Sequence, residues 1–164
     1  MSESVIARRD TGGVIYEIDT AKDRLDIALI HRFLSECSHW ALGIPRVVLD
    51  RAIANSLCFG LYCDGDQIGF ARVVTDEATF AYLADVFIVA AERNAGLGQF
   101  LVEAILAHEK LRRPRRWHLV TRDAAALYRR CGFADLQQPR FTYLDRYDPE
   151  VYAGCAAARE AASA

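Results

Sequence analysis

Apolar and polar positions change period several times along this chain, and each change marks an element. Val14 to Ile18 (VIYEI) is a short strand-like run. After Asp19-Thr20, the residues Leu25, Ile27, Ala28, Ile30 and His31 mark the faces of an amphipathic helix from Asp23 to Leu34. Gly43-Ile44-Pro45 breaks the pattern before a second helix, Arg46 to Asn55, and Ser38-His39-Trp40 falls in the loop between the two. Ser56 to Cys63 and Gln67 to Val74 read as strands around Asp64-Gly65-Asp66, a hairpin turn signal, and Thr79 to Val89 completes an antiparallel meander.

Leu97, Leu101, Ile105 and Leu106 then recur at helical spacing, which predicts a helix from about Gly96 to Lys110. Trp117 to Thr121 is a short apolar strand beyond Pro114, so the order becomes strand, loop, helix, strand. The right-handed crossover rule makes the two strands parallel in one sheet. Asp123 is the expected N-cap of a helix from Ala124 to Arg130 that Gly132 ends. Phe141 to Tyr147 (FTYLDRY) alternates as a last strand, and the Ala-rich tail, residues 155–164, is expected to fray or form a loose helix. There is no internal repeat or linker, so one domain over 1–164 is expected.

Between the long strand and the following helix stands Arg93-Asn94-Ala95-Gly96-Leu97-Gly98. Glycines at the start of a helix let several backbone N–H groups approach one anion, and the positive end of the helix favours it. A diphosphate is the natural guest. No Gly-Lys-Ser/Thr follows, which excludes a P-loop, and Gly96-x-Gly98 lacks the third glycine of a dinucleotide fingerprint.

The Arg-x-x-Gly-x-Gly pattern in this position resembles the GNAT superfamily of N-acetyltransferases. So does Ala126-Leu127-Tyr128-Arg129-Arg130-Cys131-Gly132-Phe133, which matches a helix ending in Tyr-x-x-x-Gly-Phe. The resemblance covers Leu57 to Phe133. It implies an α/β fold of the GNAT type: a central sheet of six or seven strands, mostly antiparallel with one parallel splayed pair, and about four flanking helices. It implies acetyl-CoA as the acetyl donor, its diphosphate on Arg93, Asn94, Ala95, Gly96, Leu97, Gly98 and Gln99. The pantetheine arm would pair with the backbone of Val86, Phe87 and Ile88 like an added strand. Three positions depart from the family pattern: Asn94 stands where Gly is common, Ala84 where a Glu is common, and Thr121, Arg122 or Asp123 where an Asn often precedes the Tyr helix.

Acetyl transfer to an amine needs a neutral nucleophile, a stabilised oxyanion and a proton for the leaving thiolate. A lysine-like amine costs roughly 4.6 kcal/mol to deprotonate at pH 7 and an α-amine about 1 kcal/mol, so demand for a base depends on the acceptor. Asp85, flanked by Leu83, Val86 and Phe87, is the candidate base, with desolvation as the means of raising its pKa. Its alternative is to hold a neighbouring backbone group or arginine; Glu77, Asp76 or Asp123 acting through water is another route. The resemblance places the Tyr128 hydroxyl near the sulfur. Full transfer from a phenol to a thiolate is uphill by about 2 kcal/mol, which favours a hydrogen bond in the transition state over complete transfer. A backbone N–H in the Val86 to Ile88 region would meet the oxyanion.

Composition changes this picture only by exclusion. A net charge of −2 gives no field for nucleic acid or an anionic membrane. The cluster Lys110-Leu111-Arg112-Arg113-Pro114-Arg115-Arg116 follows a helix C-terminus, where positive charge is favourable, and would equally meet the cofactor's 3′-phosphate. Five cysteines without a Cys-x-x-Cys pair and four scattered histidines predict reduced thiols, no metal and a cytoplasmic protein. The N-terminus lacks an apolar h-region. The acceptor pocket is expected from the first helices and the last hairpin, with Trp40, Tyr82, Phe141 and Tyr143 as candidates. The expected partner is therefore a small-molecule or peptide amine, with a homodimer possible because family members often pair. The rival reading, motivated by Ala84, is an acetyl-CoA-binding module without catalysis.

Overall fold

The computed structural model describes residues 4–136, 142, 144–148 and 150–152. The chain forms two compact units, residues 1–26 with 52–133, and residues 27–51 with 134–164. The first carries a six-stranded sheet in the order β1 (Val5–Thr11), β2 (Val14–Asp19), β3 (Leu57–Cys63), β4 (Asp66–Thr75), β5 (Phe80–Ile88) and β6 (Arg116–His118). Every neighbouring pair is antiparallel except β5 and β6, which run parallel.

β1 is a strand that the hydrophobic pattern does not predict. Its signal is the Gly12-Gly13 turn: Thr11 pairs with Val14, so these two residues, both at positive φ, make a two-residue hairpin loop. Asp64-Gly65 does the same between β3 and β4, as expected from the sequence.

Phe59 and Leu61 of β3, Ala71 and Val73 of β4, and Ala81 and Leu83 of β5 face one core. The helix α3 (Leu97–Ala107) lays Leu97, Leu101, Val102 and Ile105 on them, and α4 (Ala125–Arg130) adds Tyr128. Each fully buried Leu or Ile here contributes on the order of 2 kcal/mol by leaving water.

The strand β5 contains a bulge. Phe70 pairs with Phe87 and Arg72 with Ala84, so Asp85 and Val86 together stand opposite Ala71. Asp85 takes φ +55°. The extra residue reverses the alternation. Before it, Ala81 and Leu83 face the core under α3; after it, Val86 and Ile88 pack there, while Phe87 pairs with Phe70 outside that cluster.

Several boundaries differ from the sequence expectation for identifiable reasons. The helix expected over Asp23 to Leu34 is broken into a 3-10 turn at Lys22–Arg24, then α1 (Ile27–Arg32), which passes into a π-helical turn at Phe33–Cys37. The Oε1 of Gln67, distant in sequence, accepts the Asp26 N–H at 2.7 Å just before α1 begins. The helix over Leu97–Ala107 stops short of Lys110 because His108 is extended. β6 ends at His118, and Val120 is 85% exposed. Asp123 is not the N-cap of α4: Ala124 holds that position, its N–H bonds to Thr121 Oγ1 at 3.1 Å, and Asp123 lies exposed beside Arg122.

In the second unit, α1 and the first part of α2 (Arg46–Ala54) are joined by a turn built on Ser38. Its hydroxyl donates to the Leu34 carbonyl at 2.6 Å and accepts the Ala41 N–H at 3.1 Å. His31 Nε2 bonds to the Ile44 carbonyl at 2.9 Å, closing the same loop. Of the expected last strand, Thr142 and Leu144 to Tyr147 are not in a strand, and Phe141 and Tyr143 lie outside the described residues, as do Cys155 and the expected tail. Among the described residues no helix is long and apolar enough to cross a membrane.

Candidate functional site

The parallel ladder between β5 and β6 has three pairs, Phe80 with Arg116, Ala81 with Trp117 and Tyr82 with His118. Beyond Tyr82 the β6-facing edge of β5 has no ladder partner among the described residues. Val89 N–H donates to the Ile68 carbonyl on β4 at 2.8 Å, so by alternation the Val86 and Ile88 N–H groups point away from β4, along that open edge. The edge leads to the turn before α3.

In that turn Asn94 has φ +69° and Gly96, the residue before the helix, φ +71°. The Phe100 N–H makes the first bond into the helix, to the Gly96 carbonyl at 3.1 Å. The N–H groups of Leu97, Gly98 and Gln99 therefore stand ahead of α3 without an acceptor inside it. The glycine at 98 has a different cause from the one at 96. A Cβ on Gly98 would lie 3.3 Å from Leu127 Cδ2, so its missing side chain lets α4 close on α3. Gln99 holds Glu103 at 2.7 Å and receives Arg130 at 3.4 Å, which leaves its backbone N–H as the group turned to the turn. Arg93 donates Nε–H to the Ile88 carbonyl at 3.0 Å and so ties the loop to the end of β5.

Tyr128 is 9% exposed and packs edge-on to Phe133, with ring centroids 6.0 Å apart; Phe133 in turn meets Trp117 of β6. Burial pushes the Tyr128 hydroxyl up to about 12, with Cys131 and Asp123 adding to the shift. Cys131, one turn on, is also raised by burial, which makes it a poor nucleophile.

Asp85 holds an arginine, one of the two alternatives that its position in the sequence leaves open. Arg72 Nε donates to Asp85 Oδ2 at 2.5 Å, and Arg72 Nη1 donates to Ser56 Oγ at 3.3 Å. Of the other carboxylates considered, Asp76 accepts three backbone N–H groups and the Thr79 hydroxyl at the head of β5, and Glu77 meets Lys110 at 3.3 Å. The basic cluster begins past the far end of α3, ~16 Å from the amides at its start. Of the aromatic candidates for an acceptor pocket, Tyr82 is half-buried on β5, and Trp40 lies in the second unit edge-on to His39. Among the described residues no group of three or more His, Cys, Asp or Glu is placed to hold a metal.

One charged group near the turn is absent from the sequence expectations. Arg9 of β1 stacks its guanidinium on the Phe100 ring, 4.2 Å from the centroid. It is invisible to pattern reading because β1 itself is.

Residues 54–135 match the family model described as an acetyltransferase (GNAT) domain. A candidate acetyltransferase of the GNAT family from Xanthomonas campestris pv. campestris has a similar structure, with TM-score 0.80 and 45% identity over 84% of this chain and 96% of that one. A candidate acetyltransferase of Gibberella zeae is 30% identical over 109 residues, 55% of this chain; the chain spans 62% of that protein's length. The glucosamine-6-phosphate N-acetyltransferase of Arabidopsis thaliana shares the fold at 16% identity, TM-score 0.56, over 79% of this chain and 99% of its own.

Proposed function

This chain belongs to the GNAT family of acetyltransferases, and we propose that it moves the acetyl group of acetyl-CoA to a primary amine of a small molecule or peptide, within one ternary complex. The observation that carries the reading is the continuity of the site: an unpaired edge of β5 runs into a turn whose amides stand open at the start of α3. Open amides at a helix start fit a diphosphate, and an unpaired strand edge fits an amide-bearing arm.

Bound acetyl-CoA supplies a thioester carbonyl ready for attack. Leu97, Gly98 and Gln99 hold the diphosphate by backbone N–H groups, with Asn94, Ala95 and Gly96 shaping the turn and the η nitrogens of Arg93 free to add a charged hydrogen bond. Val86, Phe87 and Ile88 align the pantetheine arm, and the outward N–H groups of Val86 and Ile88 are the candidate oxyanion donors. Tyr128 donates a hydrogen bond to the departing sulfur. With its pKa near 12, complete transfer to a thiolate near 8.5 is uphill by roughly 5 kcal/mol, so the hydrogen bond, strengthening as charge develops, is the role its burial supports. The raised thiol of Cys131 supports direct attack over an acyl-cysteine route. Asp85 acts as base only by loosening its hold on Arg72; for an α-amine acceptor no base is required. The reading includes a cytoplasmic setting, in keeping with the free thiols of Cys37, Cys58, Cys63 and Cys131.

The second reading, a cofactor-binding module without catalysis, draws on Ala84 and on the engagement of Asp85 by Arg72. Thermal unfolding with acetyl-CoA, with CoA and with neither tests both, since saturation at a hundred times Kd stabilises by about 2.7 kcal/mol. A shift followed by CoA release with some member of an amine panel supports the enzyme. A shift without release across the panel supports the module, and no shift at millimolar acetyl-CoA removes both.

A further inference from the structure

Arg9 lies on the edge strand β1, outside the segment that matches the family model. Its guanidinium carbon is 4.2 Å from the centroid of the Phe100 ring, on the first turn of α3. One η nitrogen stands 3.9 Å from the point that a Cβ on Gly96 would occupy. The arginine is thus over the same turn whose amides stand open, reached from a different part of the chain.

Three properties make this more than a surface charge. Arg8, its neighbour, is 3.9 Å from Glu17, whereas no carboxylate of the described residues comes within ion-pair distance of Arg9. Stacking on a ring covers one flat face of the guanidinium and leaves the N–H donors around its edge available. The ring that receives it belongs to α3 itself, so the charge is registered to the helix start rather than to the strand alone. A planar fork fixed beside three backbone N–H groups is the arrangement that reads a phosphate by two parallel hydrogen bonds.

We propose that Arg9 is a diphosphate-binding residue of the cofactor site, supplied by the β1–β2 hairpin and held in place by Phe100. This rests on the reading of the turn before α3 as the diphosphate site. It adds a donor from outside the strand-loop-helix segment, and it makes the first hairpin part of the site. Recognition of the diphosphate by Arg9 also separates a full coenzyme from an acyl-pantetheine that lacks one.

Calorimetric titration of the whole chain tests the proposal with three probes: acetyl-CoA, its 3′-dephospho form and S-acetylpantetheine. Arg9→Gln is expected to bind acetyl-CoA about ten-fold more weakly, to lose the same factor with the 3′-dephospho form, and to bind S-acetylpantetheine as the unmodified chain does. Arg9→Met, whose stem still covers Phe100, serves as the uncharged variant if Arg9→Gln folds poorly, with the same expected pattern. Unchanged affinity for acetyl-CoA in the uncharged variant overturns the proposal. A loss that vanishes with the 3′-dephospho form overturns it too, because Arg9 would then be reading the other phosphate. If the unmodified chain fails to bind acetyl-CoA, the reading of the turn falls and this inference with it.

Discussion

Arg72 of β4 and Asp85 of β5 hold each other across the bulge, Nε to Oδ2 at 2.5 Å, with both side chains largely buried. The aspartate is the residue at positive φ, so the ion pair and the backbone irregularity are one device. Removing one partner of a buried pair strands the other charge at a cost on the order of 3 kcal/mol. Arg72→Met is expected to show that loss in urea unfolding. Asp85→Asn keeps a side chain that tolerates positive φ and is the cleaner probe of chemistry. If Asp85 is the base for a lysine-like acceptor, this variant slows acetylation by a hundred-fold or more at unchanged affinity for acetyl-CoA. Full turnover in a less stable protein assigns the pair to architecture.

Tyr128→Phe removes one hydroxyl from the apolar cluster under α3 and keeps the ring against Phe133. Steady-state rates should fall ten-fold or more, about 1.4 kcal/mol, with acetyl-CoA affinity retained in titration. Unchanged turnover would leave Tyr128 as a core residue only.

The two glycines of the turn should fail differently. Gly96→Ala forces a side chain to φ +71°, a strain of about 1–2 kcal/mol that lowers Tm by roughly 2–4 °C per kcal/mol in a chain of this size. Gly98→Ala presses a methyl on Leu127, and pairing it with Leu127→Ala should relieve that overlap. Differential scanning calorimetry of the two single variants and the double variant reads this directly: additive losses for Gly98→Ala and Leu127→Ala would show that the contact does not govern the position.

Acid should weaken the first unit through two carboxylates. Burial by itself would raise Asp19, but the Ala21 N–H and Arg24 outweigh it and hold its carboxyl below the ordinary 3.8. Asp76 is held well below the same value by the Thr79 hydroxyl and then by the backbone N–H groups of Thr79, Ala78 and Phe80. A depressed folded-state pKa gives stability that is complete above the unfolded value and is lost as pH falls through the folded one. Unfolding followed from pH 6 to pH 2 should therefore show a plateau down to about 4 and a decline below it, shallower in Asp19→Asn and in Asp76→Asn. Identical slopes in all three proteins would contradict the assignment.

Local turn chemistry explains what the chain reveals before folding. Asp64-Gly65 announces the β3–β4 hairpin, and apolar residues at helical spacing announce α3, because those signals sit within a few residues. The turn Arg93–Gly98 was legible as a glycine-bearing helix entry for the same reason. What pattern reading misses is set at a distance. The Gln67 side chain reaches Asp26 from β4, and the parting of β6 from β5 after His118 leaves Leu119 and Val120 outside the ladder although they look like strand. β1 escapes because its facing residues are only half-buried, and with it goes Arg9, a charge brought to the turn from a distant part of the chain. Gly98 was visible, but its contact with Leu127 was not.

The reversal of faces at Asp85 has a consequence for how the gene can vary. Ahead of the bulge and behind it, β5 serves the same core with side chains of opposite parity. Leu83 and Val86 are an odd step apart and share the core face only through the bulge; with one residue fewer between them, plain alternation keeps Val86 and Ile88 in the core and Phe87 out of it. The loop at Asp76 to Thr79 and the turn at Gly12-Gly13 can absorb changes of length at their tips; the middle of β5 can lose the bulge residue and keep its core face, but not the position that holds Asp85 against Arg72. The length of the strand and its ion pair are therefore linked: a homologous chain with one residue fewer in the middle of β5 should also lack the pair between Arg72 and Asp85.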